Sequence, residues 1–187
     1  MTTAFAQPMA DVATQWQLDP VHTSVDFSVR HLMIASVKGS FDELAGTITI
    51  DPENVSTPSV EVAIQAASVN TRQAQRDAHL RSADFFDVEK WPTLAFRGGR
   101  IEGDIDGEFK LYGDLTIRDV TRPLVLDVTK EGEGSDPWGN FRVGFSATTK
   151  IDRRAFGLTY NQALETGGVV VGDEIKISVD VQFTANK

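Results

Sequence analysis

The side chains with catalytic or metal-binding potential are few in this sequence, and their spacing suits neither role. The three histidines, His22, His31 and His79, are far apart in the chain, and none stands in an HExxH or comparable ligand spacing. Asp77 and His79, two positions apart on a helix, would point about 200° away from one another, a poor chelate. Ser24 and Ser82 fall near histidines, but no G-x-S-x-G elbow exposes either as a nucleophile. Gly98-Gly99 reads as a strand bulge and not as a phosphate-cradling loop. The absence of cysteine removes thiol nucleophiles, disulfides and Cys-based metal sites. The residues therefore predict no enzyme, no required cofactor and no metal.

The elements that would position any site are strands. Ile175, Ile177, Val179, Val181 and Phe183 alternate with Lys176, Ser178, Asp180, Gln182 and Thr184, which puts an apolar and a wet set on opposite faces of one strand. Phe141, Val143, Phe145 and Ala147 repeat the pattern, as do Val25, Phe27 and Val29. Further strands read at 44–50, 60–66, 93–101, 108–117 and 124–130. Strands with one wet face pair antiparallel. Asp106-Gly107, Asp136-Pro137-Trp138-Gly139 and Gly172-Asp173 read as turns between them. Residues 71–84 read as a short helix with Asn70 or Thr71 at its start, and 152–158 as a helical turn. Eight such strands predict an all-β sandwich or barrel, and a barrel of that size is either filled by its side chains or holds one small ligand. Small strand residues such as Gly113, Gly144 and Ala147 would leave space if they face inward.

The chain has 187 residues, suited to one domain with a sizeable core. Eleven Phe against two Tyr supply apolar area without polar handles. A net charge of −9, with no basic run, argues against nucleic acid and anionic bilayers as partners. No apolar run is long enough for a membrane-spanning helix. In residues 1–14, Ala4-Phe5-Ala6 resembles a cleavage site, but there is no positive leading region and Asp11 interrupts the apolar run. The segment reads as a flexible tail before a domain at 15–187. That reading places the protein in the cytoplasm, with the periplasm as the alternative.

Four linked segments resemble the YceI-like family. They are His31-Leu32 through Val37-Lys38-Gly39-Ser40-Phe41; Arg76 through Asp87 with Trp91-Pro92 and Phe96; Gly113-Asp114-Leu115-Thr116-Ile117 with Val120-Thr121-Arg122-Pro123; and Arg153 with Phe156-Gly157-Leu158. Asp119 stands where that pattern usually has Gly, and Asp tolerates a left-handed turn. The resemblance runs from about Trp16 to Phe183. It implies an eight-stranded antiparallel lipocalin-like barrel, often homodimeric, that binds a polyisoprenoid (a quinone or prenyl-phosphate-like molecule) or another fatty amphiphile, without an agreed enzymatic activity.

Such a ligand needs a dry tube for its chain and a few donors for its head. Tube candidates are Phe27, Val29, Leu111, Leu115, Phe141, Phe145, Ile177 and Val179, with Phe85 and Phe86 as a gate. Candidates for the polar mouth are Arg72, Arg76, His79, Arg153 and Arg154, because clustered guanidinium groups neutralise phosphate. Each has a plainer reading: the apolar set packs on itself, Arg76 and Asp77 pair at the surface, and Arg153 anchors a loop. The alternatives to an isoprenoid carrier are an enzyme acting on an amphiphile at the mouth, and a structural or stress-related dimer with a filled barrel.

Overall fold

The computed structural model describes residues 15–165 and 167–185; the tail read at 1–14 lies outside the described residues. The chain forms β1 (Gln15–Leu18), β2 (Ser24–His31), β3 (Ala35–Phe41), β4 (Leu44–Asp51), β5 (Asn54–Gln65) and β6 (Val69–Asn70). It continues through helix α1 (Ala74–Arg81) to β7 (Thr93–Gly103), β8 (Glu108–Ile117), β9 (Val120–Ser135), β10 (Phe141–Asp152) and β11 (Val171–Ala185). Consecutive pairs β1–β2, β3–β4 and β5–β6 each act as one bent stave, so the sheet is an eight-stave up-and-down antiparallel barrel. It closes because β11 pairs with β10 on one edge and with both β2 and β1 on the other, Val179 opposite Val25 and Phe183 opposite Leu18.

The bends have local causes. Pro20 cannot donate to a ladder, and Asp19 caps the short turn Pro20–His22 by accepting from the Val21 N–H at 3.0 Å. The stave resumes at Ser24. At the other end of the barrel, β6 pairs with β3 alone among the described residues. An open strand edge there would leave carbonyls unpaired. Helix α1 covers it instead, with Arg81 Nε donating to Ala67 O at 2.7 Å and Nη2 to Val69 O at 3.0 Å.

Several details depart from the sequence expectation. The short β1, β3 and β6 join the strands that alternation revealed. Helix α1 is shorter than 71–84: Arg72 takes a left-handed φ of 61°, and the cap is Gln73, which accepts from the Arg76 N–H. Gly172-Asp173 is no hairpin turn; it lies in β11 at a register shift. The left-handed residue of the β8–β9 hairpin is Arg118, with φ 58°, rather than Asp119. A register shift does fall between Gly98 and Arg100. Among the described residues no helix is long and apolar enough to cross a membrane.

Candidate functional site

Alternation sends one face of every stave inward, and those faces do not meet. They line a cavity of about 280 Å³ whose surface is apolar throughout. That volume is close to the lower bound of small-molecule pockets, about 300–1,000 Å³, and far above the roughly 10–15 Å³ that one water needs. Apolar voids of this kind stay dry. Ile105, in the β7–β8 hairpin, and Phe85, beyond α1, line the same space, so it runs from one barrel end to the other. By the rule of about 24 cal/mol per Å³, an empty cavity of this size withholds roughly 7 kcal/mol. A whole domain has a net stability of only about 5–15 kcal/mol.

Phe27, Val29, Leu111, Leu115, Phe145, Ile177, Val179, Phe85 and Phe86 all line the cavity. Phe141 does not. It packs edge to face on the wholly buried Trp16, centroids 5.9 Å apart, and fills the interior beside β1 at the end opposite the helix. That corrects its placement in the tube. Alternation had not singled out Phe41, Leu80 or Ile101, which also line the void.

The end nearest α1 is closed by two segments, the connection from β6 to β7 and the loop after β10. His79, Phe85 and Tyr160 form their seam: His79 stacks edge-on against Phe85 at 5.1 Å and against Tyr160 at 4.8 Å. Its Nε2 lies 2.8 Å from Asp84 Oδ2. Tyr160 lies outside the candidates that the sequence pattern marks.

Two guanidinium groups of this end, those of Arg153 and Arg76, are committed to the closure itself. Arg153, only 3% exposed, directs all three nitrogens at the chain. Nε donates to Gly172 O (2.8 Å), Nη1 to Leu158 O (2.6 Å) and Tyr160 O (2.9 Å), and Nη2 to Val171 O (3.3 Å) and Asp173 Oδ1 (3.2 Å). Burial pushes its pKa down from the usual arginine value, although arginine stays charged throughout the working range. Arg76 donates through Nε to Thr71 Oγ1 at 2.7 Å and through Nη2 to Thr71 O at 2.9 Å. Buried Asp77 accepts from the same threonine, from its N–H at 2.9 Å and its hydroxyl at 2.5 Å. The expectation that Arg76 and Arg153 wait for a ligand head is therefore corrected: their donors hold the backbone of the closing segments. Arg76 and Asp77 do not pair with each other at the surface either, since both engage Thr71. Arg154 is exposed and 3.6 Å from Asp173, and Arg72 is exposed beside α1. Among the described residues, Arg118 Nε is a buried guanidinium nitrogen without a hydrogen-bond partner.

Comparison with known proteins agrees with this architecture. Residues 16–183 match the YceI-like domain. A UPF0312 protein of Vibrio cholerae is 36% identical over 153 residues, 81% of each chain. One of Staphylococcus aureus is 34% identical over 175 residues, 93% of this chain and 99% of its own. Among solved structures, a YceI protein of Campylobacter jejuni superposes with a TM-score of 0.72 at 31% identity, over 84% of this chain and 90% of its own. Burkholderia cenocepacia BcnA gives 0.75 at 20% identity, over 88% and 98%. A polyisoprenoid-binding domain of Saccharophagus degradans gives 0.66 at 14%, over 94% and 99%. The last two likenesses show the fold alone.

Proposed function

The chain belongs to the YceI-like family, and from that membership and its hollow interior we propose that it is a binding protein that sequesters or carries one elongated apolar molecule inside the barrel. The cavity is the observation that carries this reading. Its lining offers methyl, methylene and phenyl groups, so it favours length and greasiness over any particular functional group. Each methylene moved from water into it gains about 0.8 kcal/mol. About ten carbons would then gain roughly 8 kcal/mol before the entropy of immobilisation is subtracted.

Within that class, a polyisoprenoid such as a quinone or prenyl-phosphate-like molecule fits best, with a fatty amphiphile as the alternative. A branched chain meets a lining of branched Val, Leu and Ile with Phe, and a domain of like fold is described as polyisoprenoid-binding. Among the described residues, Arg154, Arg72 and the unpartnered Nε of Arg118 are donors left for a polar head. Transport follows from the same physics: the tube excludes water while the charged exterior keeps the complex dispersed.

A barrel plugged by its own side chains, as a purely structural dimer would have, is disfavoured by a void of this volume. An enzyme at the mouth is disfavoured because Arg76, Asp77 and Arg153 already have backbone and Thr71 partners. Organic extraction of the purified protein followed by mass spectrometry tests the proposal. It predicts about one apolar molecule per chain. An extract without such a molecule, from a protein that also takes up none when offered, contradicts it.

A further inference from the structure

The hairpin joining β2 to β3 exposes the residues a soluble barrel would hide. Met33 is 58% exposed and Ile34 79%, side by side at the tip of a three-residue turn, with Leu32 half-buried behind them. Leu32 and Met33 both have left-handed backbones, φ 52° and 61°. Asn and Gly take that conformation readily, whereas branched or long apolar side chains rarely do. The strained turn is nevertheless firmly held. Leu32 N–H donates to Val170 O at 2.9 Å, Ile34 N–H to His31 O at 3.2 Å, and Arg30 Nη2 to Met33 O at 3.0 Å. An ordered, strained turn that presents two large apolar side chains to solvent is a feature that packing does not explain.

Its position supplies the reason. The hairpin lies at the barrel end closed by α1 and the loop after β10, and its Leu32–Val170 bond ties it to that loop. Charge is distributed unevenly between the two ends. The connections at the opposite end carry Glu53, Asp104, Asp106 and Asp136 and no basic residue. Those at the helix end set Arg72, Arg81, Lys90, Arg118 and Arg154 against their acids. The net charge of −9 thus turns the far end away from phosphate surfaces and leaves the helix end free to approach.

We propose that the β2–β3 hairpin is a membrane-docking tip: Met33 and Ile34 enter the interface of a phospholipid bilayer and set the closed mouth against the lipid from which cargo is loaded. This goes beyond the binding reading and rests on the hairpin, not on the ligand. Vesicle docking can therefore fail while extraction still recovers a lipid, and the reverse.

The test is co-sedimentation of the whole chain with phosphatidylcholine vesicles, for the wild type, M33N/I34S and Ile34→Lys. Asn suits the left-handed site, so the double variant keeps the turn, and circular dichroism melts check that both variants fold. The expected result is a vesicle-bound wild type, little changed by added salt because the contact is apolar, and a loss of several-fold in bound fraction for both variants. A wild type that stays in the supernatant overturns the proposal, as do variants that sediment equally. Sedimentation velocity is run in parallel. A wild-type dimer that the double variant abolishes would assign the tip to a second copy of this chain and equally overturn membrane docking.

Discussion

The rings of His79 and Tyr160 meet edge to face, 4.8 Å between centroids, and join helix α1 to the loop after β10 across one end of the barrel. Phe85 packs against both, at 5.1 and 5.2 Å, and its other side faces the cavity. Among the described residues, the seam between the two closing segments is therefore a small aromatic cluster and not a continuous ladder of backbone bonds, which makes it the part of the wall most easily parted.

Removing one ring should speed exchange. Aromatic pairs contribute about 0.5–1.5 kcal/mol each beyond area, so Tyr160→Ala, which removes its pairs with His79 and Phe85, is expected to raise the release rate of a bound fluorescent polyene roughly 5- to 150-fold. Stopped-flow release into excess acceptor vesicles measures this. Equal rates in variant and wild type would place the exit elsewhere.

Arg153 is expected to matter for stability and for loop order, with little direct effect through its charge. Arg153→Met takes the guanidinium donor from the carbonyls of Leu158, Tyr160 and Gly172, while Val171 O keeps Asn161 Nδ2 at 2.7 Å. Loss of partners to buried groups costs about 1–3 kcal/mol each where water cannot replace them, and a total loss of about 3–5 kcal/mol is expected in urea unfolding. Arg153→Lys should recover little, since an ammonium cannot reproduce the planar fork. Full stability in either variant would refute the anchoring role.

Ala147 lines the cavity from β10. Ala147→Phe should fill part of the void, lower ligand affinity at least tenfold, and leave the melting temperature of the lipid-free protein unchanged or higher, because lost cavity volume is regained as packing. Unchanged affinity would mean that the ligand does not occupy this part of the interior.

Acid sensitivity is expected to centre on Arg142, which donates to Asp19 at 2.5 Å and to Asp136 at 2.8 Å. Burial alone would raise Asp19, but hydrogen bonds from His22, Arg142 and the Val21 N–H outweigh it and bring the pKa down to about 2. Asp136 is also held well below the usual range, first by the Asn140 side chain and then, against some burial, by Arg142 and backbone N–H groups. Folded values below the unfolded ones stabilise the protein above about pH 4. That contribution is lost as the pH falls from about 4 toward 2. Arg142→Met should flatten the dependence of the urea midpoint on pH across that window. An equally steep dependence in the variant would contradict the assignment.

Much of the fold was legible because it obeys a period of two. The faces of Phe27 and Val29, or of Ile177 and Val179, follow from alternation alone. Alternation gives the face and not the height along the barrel. Phe141 and Phe145 share a face of β10, yet one seals the interior against Trp16 and the other borders the void. The arginines were harder to read for another reason. The partners of Arg153 are carbonyls brought back by a loop, and those of Arg76 belong to Thr71, five residues earlier in the chain. No side-chain pattern marks a backbone acceptor. Alternation does not mark the short β3, because its sequence, ASVKGSF, mixes small and polar residues and has only Val37 and Phe41 as large apolar ones.

The direct test of the hollow barrel is a titration of the lipid-stripped protein with a long-chain polyprenol, followed by intrinsic fluorescence and thermal melting. Saturation at one molecule per chain is expected, with a rise in melting temperature that grows with ligand concentration, and both effects should be lost in Ala147→Phe. A non-saturating signal, or a melting temperature indifferent to the polyprenol, would contradict a ligand-filled interior.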